Sequence, residues 1–390
     1  MTLPRLLPLA LVAAMLVPAG ASADWQRGMD YTTYAATTYG TPASDASLNR
    51  LGSDGDDSVS ILVTQYMSDP LTTVIAPDSR TPTDASLLHA MQTARALGLR
   101  VTLKPQIDVN TGSWRGALNP VSPDAWFTSY EAMIDHYADL ARQGGADMLV
   151  IGTELKSLSG SAYTARWEQI IAGIKQRFSG ELTYAANFDE YWRVGFWDSL
   201  DYIGVDAYFP LSSSGGGSVQ DLVSAWTSRG YVNTLKAVSQ AFGKPVLFTE
   251  IGYRSVAGAT VHPNIWNSSG AYDMSEQQNA YEAAFEAFAG QPWFAGMYWW
   301  SWPAALPASG WNSDFTPTFK PSEDILRSWN ARLAPKSGTT PPPDGVSKPA
   351  PPATSPKPVK PKRAQAKHHA KKRAKHHAKK KHHRRKHRRA

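Results

Sequence analysis

From Arg27 to Trp302 the chain repeats one pattern eight times: a short, strongly apolar run followed by a connecting stretch, several with helical spacing. The runs are Arg27–Tyr31, Val59–Tyr66, Arg100–Gln106, Met148–Glu154, Leu182–Ala186, Tyr202–Ala207, Val246–Glu250 and Gly296–Trp302. Several are almost continuously hydrophobic, as in Ile61-Leu62-Val63 and Val246-Leu247-Phe248. Strands buried on both faces of a parallel sheet require that pattern. Helix punctuation falls between them. Thr83–Leu97 has Ser and Asp near its start and Gly98 just past its end, and Ser122-Pro123-Asp124 opens a helix to about Gln143 that Gly144-Gly145 closes. Thr164–Phe178 and Ser275–Phe288 stop before Gly180 and Gly290. The first and fifth crossovers carry the weakest helical pattern. Eight strand–helix units predict an α/β fold, a (β/α)8 TIM barrel, enlarged by loop insertions beyond the usual size of about 250 residues. No Gly-x-Gly-x-x-Gly follows the first strand, which argues against a doubly wound dinucleotide-binding sheet.

The two ends differ from this body. Met1–Ala23 reads as a secretory signal: Arg5 supplies the positive start, Leu6–Val17 the apolar stretch, and Ala21-Ser22-Ala23 the cleavage site. The stretch is too short to span a bilayer comfortably, and no transmembrane segment is expected after signal removal. The folded barrel domain is predicted to cover residues 24–335, followed by a Pro-rich linker at 336–366 and a Lys/Arg/His-rich tail at 367–390 that should be disordered. Of the 40 Lys+Arg and 33 Asp+Glu, residues 336–390 hold 19 and one, a net +18. The remaining 21 and 32 give residues 1–335 a net −11. An acidic body with a cationic tail suits an exported protein retained on anionic envelope polymers, and no specific nucleic-acid partner is expected. Absence of cysteine excludes disulfides, thiolate metal sites and cysteine nucleophiles. No dense His/Asp/Glu cluster calls for a metal, and Gly215-Gly216-Gly217 lacks the lysine of a phosphate cradle, so no cofactor is expected.

Two of the predicted strands finish on a glutamate preceded by threonine: Thr153-Glu154 on the fourth and Thr249-Glu250 on the seventh. A carboxylate closing an apolar strand is costly unless paired or useful. In this barrel the working groups sit at the carboxyl ends of strands. Two such residues suggest the paired-carboxylate chemistry of glycoside hydrolysis. Here the chain resembles clan A glycoside hydrolases, most closely family 113 of the β-mannanases. The resemblance rests on Ile151-Gly152-Thr153-Glu154-Leu155, on Asp201 to Pro210, on Phe248-Thr249-Glu250-Ile251-Gly252-Tyr253 and on Tyr298-Trp299-Trp300-Ser301-Trp302. It implies that Glu154 is the acid/base and Glu250 the nucleophile of a retaining mechanism, with a polysaccharide, most closely β-mannan, as substrate. It further implies Tyr208 as a hydroxyl set against the nucleophile and Trp300 as the floor under the reacting sugar. Many clan members have Asn before the acid/base to hold the sugar 2-hydroxyl. Here that position is Thr153, as in family 113.

The surroundings suit a sugar. Trp114, Trp192, Trp266, Trp299, Trp300, Trp302 and Trp311 fall in regions placed at the top of the barrel, where flat indoles accept the C–H faces of sugar rings. Trp126, Trp167 and Trp329, set in helices, read as core. Strict alternation along the last strand puts Trp300 and Trp302 on one face and Trp299 on the other. Lys104, Gln106, Asn187, Asp189 and Asp30 are candidate hydroxyl binders. Asp206 could serve as a third catalytic carboxylate or a substrate contact, but its place before Tyr208 and Pro210 favours an orienting or structural role. The same chemistry could serve β-glucan, xylan or envelope glycan. A non-catalytic carbohydrate-binding or adhesion protein would keep the aromatics but needs neither glutamate.

Overall fold

The computed structural model describes residues 25–335 apart from Ser268. The signal, linker and tail predicted from sequence lie outside the described residues. Eight parallel strands close into a barrel in sequence order: β1 (Gln26–Thr32), β2 (Ser58–Met67), β3 (Arg100–Val109), β4 (Met148–Thr153), β5 (Glu181–Asn187), β6 (Tyr202–Asp206), β7 (Val246–Ile251) and β8 (Phe294–Pro303), with β8 pairing back onto β1. Every residue of β2, β4, β6 and β7 is buried, as their near-continuous apolar composition requires.

Around the barrel run α1 (Pro42–Ser53), α2 (Asp84–Ala96), α3 (Pro123–Gly144), α4 (Thr164–Arg177), α5 (Val219–Ser228), α6 (Tyr231–Phe242), α7 (Met274–Phe288) and α8 (Pro321–Leu333). The anticipated caps form. Thr83 Oγ1 accepts from the Ser86 amide at the start of α2, Ser122 Oγ does the same for Ala125 in α3, and Gly145 ends α3 with a left-handed φ of 68°. The first crossover is a regular helix. The fifth is not: only short 3₁₀ turns at Tyr191–Arg193 and Trp197–Ser199 join β5 to β6. Tyr191, Phe196 and Trp197 of this crossover are buried instead, the last two against Tyr184 of β5, while Trp192 stays exposed.

The main core lies between strands and helices. Trp126 and Trp167 are fully buried there, and Trp329 stacks on Phe285. A smaller separate cluster joins Met148, Tyr202, Leu247, Ala295 and Tyr298. Trp299 stacks on Tyr281 of α7 at 3.7 Å between ring centroids. Its neighbours Tyr298 and Trp300 therefore face the barrel interior. Beyond Trp300 the alternation breaks. Met29 and Tyr31, two apart on β1, pair with Trp299 and Trp302, three apart on β8. This bulge sends Trp302 outward to α1, where its Nε1 donates to Ser47 Oγ at 3.0 Å. Trp302 is consequently a core residue, which corrects its expected role as a sugar platform.

Candidate active site

At the carboxyl ends of the strands lies a cleft of 1070 Å³ lined by Gln106, Trp114, Arg115, Glu154, Asn187, Asp189, Tyr208, Glu250, Trp266 and Trp300, among others. It holds both strand-end glutamates together with four expected partners, Trp114, Asn187, Tyr208 and Trp300.

Glu250 stays within β7 and is almost wholly buried. Each of its oxygens accepts one short hydrogen bond: Oε1 from Lys104 Nζ and Oε2 from the Tyr208 hydroxyl, both at 2.6 Å. Lys104 has no solvent exposure. It also donates to the Thr249 carbonyl at 2.9 Å and stands 3.6 Å from Asp30 and from Asp206. Thr249 Oγ1 in turn donates to Asp206 Oδ1 at 2.8 Å. Burial alone would lower the pKa of Lys104, but Asp206, Asp30 and Glu250 outweigh it and hold the amine above its ordinary value. The two aspartates respond the other way. Burial raises Asp30 to about 7 against the pull of Lys104, and burial with the nearby Glu250 raises Asp206 well above the usual carboxylate range. Of the three carboxylates, Glu250 lies closest to Lys104, at 2.6 Å against 3.6 Å for the other two. Lys104 was expected to bind a sugar hydroxyl, and Asp206 either to face the substrate or to orient a neighbour. Both are fully buried beside Glu250, Lys104 bonded to it directly and Asp206 set against Lys104 and Thr249, so they support Glu250. Asp30 belongs to the same buried group.

Glu154 is held differently. β4 ends at Thr153, one residue earlier than expected, and Glu154 adopts a left-handed φ of 52°, rare for a residue with a Cβ. Backbone bonds fix the turn. The Glu154 amide donates to the Ala185 carbonyl at 2.7 Å, and the Leu155 amide to the Tyr184 hydroxyl at 2.7 Å. The Tyr184 hydroxyl in turn donates a hydrogen bond to Glu190 Oε1 at 2.6 Å. Glu190 is a buried carboxylate that also accepts from Ser159 and from the Asn187 amide, and burial raises it to about 7. Gly152 makes room for this support: a Cβ there would stand 2.9 Å from both the Tyr130 hydroxyl and the Tyr184 ring.

The side chain of Glu154 meets the loop after β3. Trp114 Nε1 and Arg115 Nη1 both donate to Oε2, at 3.1 and 3.0 Å. Among the described residues Oε1 has no hydrogen-bond partner. Arg115 is itself braced by Asp108 and by the Ile107 carbonyl. Burial raises the pKa of Glu154, and Glu250 adds to the rise, against the opposing effect of Arg115. A proton on Glu154 therefore belongs on Oε1, the oxygen not already accepting two N–H bonds.

Around these groups the sequence expectations divide. Gln106, Asn187 and Asp189 line the cleft, and the Asn187 Oδ1 and Gln106 Oε1 have no protein partner among the described residues. Asp189 is bonded to Lys156 at 2.6 Å. Trp266 lines the cleft, whereas Trp299 is core, and Trp192 and Trp311 are exposed outside the lining. Thr153 is buried and donates to the Pro105 carbonyl, so it faces away from any sugar. Arg115, Tyr184 and Glu190 were not anticipated. The one available signal was a cation next to Trp114 in a strand-end loop, and a carboxylate, Glu190, inside the aromatic run after β5.

The family model for Glycoside Hydrolase Family 113 matches residues 29–315. Among solved structures, the chain is similar to the GH113 β-mannanase from Alicyclobacillus acidocaldarius in complex with ManMIm: 30% identity and a TM-score of 0.73, over 80% of this chain and 98% of that one. A GH113 β-1,4-mannanase structure is similar at 25% identity and a TM-score of 0.72, over 79% and 99%. The endo-β-1,4-mannanase from Thermotoga petrophila shares the fold at 11% identity, with a TM-score of 0.53 over 83% and 79%. No curated protein matches the chain in sequence.

Proposed function

The chain belongs to glycoside hydrolase family 113, and from that premise we propose that it is a secreted, retaining enzyme that cleaves β-1,4-linked mannan. Glu250 attacks the anomeric carbon to form a glycosyl ester while Glu154 delivers the proton on Oε1 to the departing oxygen. Water, activated by the then ionised Glu154, releases the sugar with net retention. The observation that carries this reading is the different bonding of two buried glutamates in one cleft. Among the described residues, Glu250 accepts one bond on each oxygen, from Lys104 and Tyr208, whereas Glu154 accepts only on Oε2, and burial favours a proton on it. Trp300 offers the apolar face of the reacting subsite, and Asn187, in the cleft lining at the end of β5, is the candidate partner for the sugar 2-hydroxyl, since Thr153 faces away.

A 2-fluoro mannoside with a good leaving group should trap the ester on Glu250, read as a mass shift on its peptide. A label elsewhere, or none in an active preparation, rejects the assignment. A reducing-sugar assay across mannan, glucan, xylan and cell-wall glycan should rank mannan first. The cationic segment 367–390 would hold the exported enzyme on anionic envelope polymers. Deleting residues 336–390 should then abolish salt-sensitive retention on such polymers and leave turnover of soluble substrate within about twofold, since surface tails rarely contribute to stability.

A further inference from the structure

Beside the cleft, on the far side of Trp114, lies a second cavity of 720 Å³. The two cavities share only that indole. Their charges are opposite. The cleft lining holds Asp108, Glu154, Asp189, Glu250 and Asp314 against Arg80 and Arg115. The side cavity holds Lys156 and Arg193 and no acid. It stands on a body whose net charge is −11, so a cationic pocket there is not the by-product of a generally basic surface.

We propose that this cavity binds a negatively charged sugar unit on the leaving-group side of the scissile bond, so that the preferred substrate is an acidic β-mannan. The proposal rests on the mannanase reading above and adds the substrate's charge to it. Three features define the occupant. The Trp114 and Tyr163 rings supply flat apolar surface suited to a sugar face, and Ser161 adds a hydroxyl. Lys156 Nζ lies 5.9 Å from the centre of the Trp114 ring but shares its charge with Asp189. Arg193 is exposed and makes no ion pair among the described residues, so its planar fork is available to a carboxylate or phosphate. Its backbone is anchored, because the Arg193 amide donates to the carbonyl of the buried Glu190 at 2.8 Å. The side of the bond follows from Trp114. Its Nε1 touches the acid/base Glu154, the group that protonates the departing sugar, so a unit beyond this indole belongs to the departing portion or its branch.

The test compares the full chain with Arg193→Ala and Arg193→Glu. All three carry the same cationic tail, so differences among them belong to the cavity. The substrates are one β-1,4-manno-oligosaccharide in neutral form, bearing a glucuronic acid branch, and bearing a phosphate. The parent should favour a charged form, and Arg193→Ala should lower the charged-to-neutral ratio of kcat/KM about tenfold, mainly through KM, with Arg193→Glu lower still. Which charged form loses more tells carboxylate from phosphate. A parent ratio near one, or a ratio unmoved by both variants, overturns the proposal. Binding of methyl β-glucuronide and of mannose 6-phosphate to a Glu250→Ala chain, with and without Arg193→Ala, is followed by ligand-detected NMR. If no polysaccharide is cleaved, the mannanase reading fails, while Arg193-dependent binding in that experiment still supports the cavity and its absence overturns it.

Discussion

The surroundings of Glu250 and Glu154 are built from opposite materials. Glu250 remains in its strand, and the groups that hold its oxygens are wedged into the barrel: Lys104 is buried completely, and Tyr208 follows β6 directly. Glu154 has left its strand in a left-handed turn, and the donors to its carboxylate come from a loop. The hold on Glu250, the proposed nucleophile, is thus tied to the integrity of the core. The hold on Glu154, the proposed acid/base, is tied to a segment that could vary without disturbing the barrel.

Four substitutions test that division, beginning with the largest effect. Glu250→Ala should reduce turnover on every substrate by on the order of 10⁴ or more, as removing a nucleophile does. Glu154→Ala should cost about 10²–10⁴ on mannan, the usual worth of general acid catalysis. With an aryl mannoside that departs unaided, Glu154→Ala should still show a normal burst of the first product. An equal loss on both substrates would erase the functional distinction between the two sides.

Lys104→Met should cost about 3 kcal/mol of folding stability as well as activity, because it strips a buried cation from three carboxylates. Those carboxylates would then bind protons more tightly folded than unfolded, a difference whose stabilising effect is lost as pH rises. The deficit measured by denaturant should therefore be smaller at pH 5 than at pH 8. A variant of normal stability would place Lys104 outside the core's electrostatic balance. Arg115→Met has the mildest expected effect. It removes the main influence lowering the Glu154 pKa, and the acid form of Glu154 is lost as pH rises through that value. The basic limb of kcat/KM should move upward by about one pH unit with little change in melting temperature. A downward shift would refute the role given to Arg115.

How much of this was legible in the sequence differs in the same way. The barrel was readable because strands buried on both faces are mostly apolar, so the runs around Ile61 and Leu247 declare themselves. The fifth crossover was not, since its Tyr, Trp and Phe residues pack as turns without helical periodicity. Glu154 and Glu250 stood out because charge at the end of an apolar run needs a reason. Lys104 and Asp206 were recognised as polar strand residues, but sequence carries no measure of depth, and depth turned Lys104 from a sugar ligand into a support for Glu250 and left Asp206 the orienting one of its two readings. Trp302 was misassigned because a one-residue bulge in β8 defeats period-two reasoning and leaves no trace in composition. Arg115 was missed because a loop has no period from which a direction could be read.

The left-handed backbone at Glu154 has a consequence for how this chain could change. Glycine occupies that conformation without penalty, and a glutamate there sacrifices roughly 1–2 kcal/mol. A lineage needing only a sticky groove would gain robustness by drifting to glycine at residue 154. A side chain kept at such a spot marks a protein still under pressure to turn over.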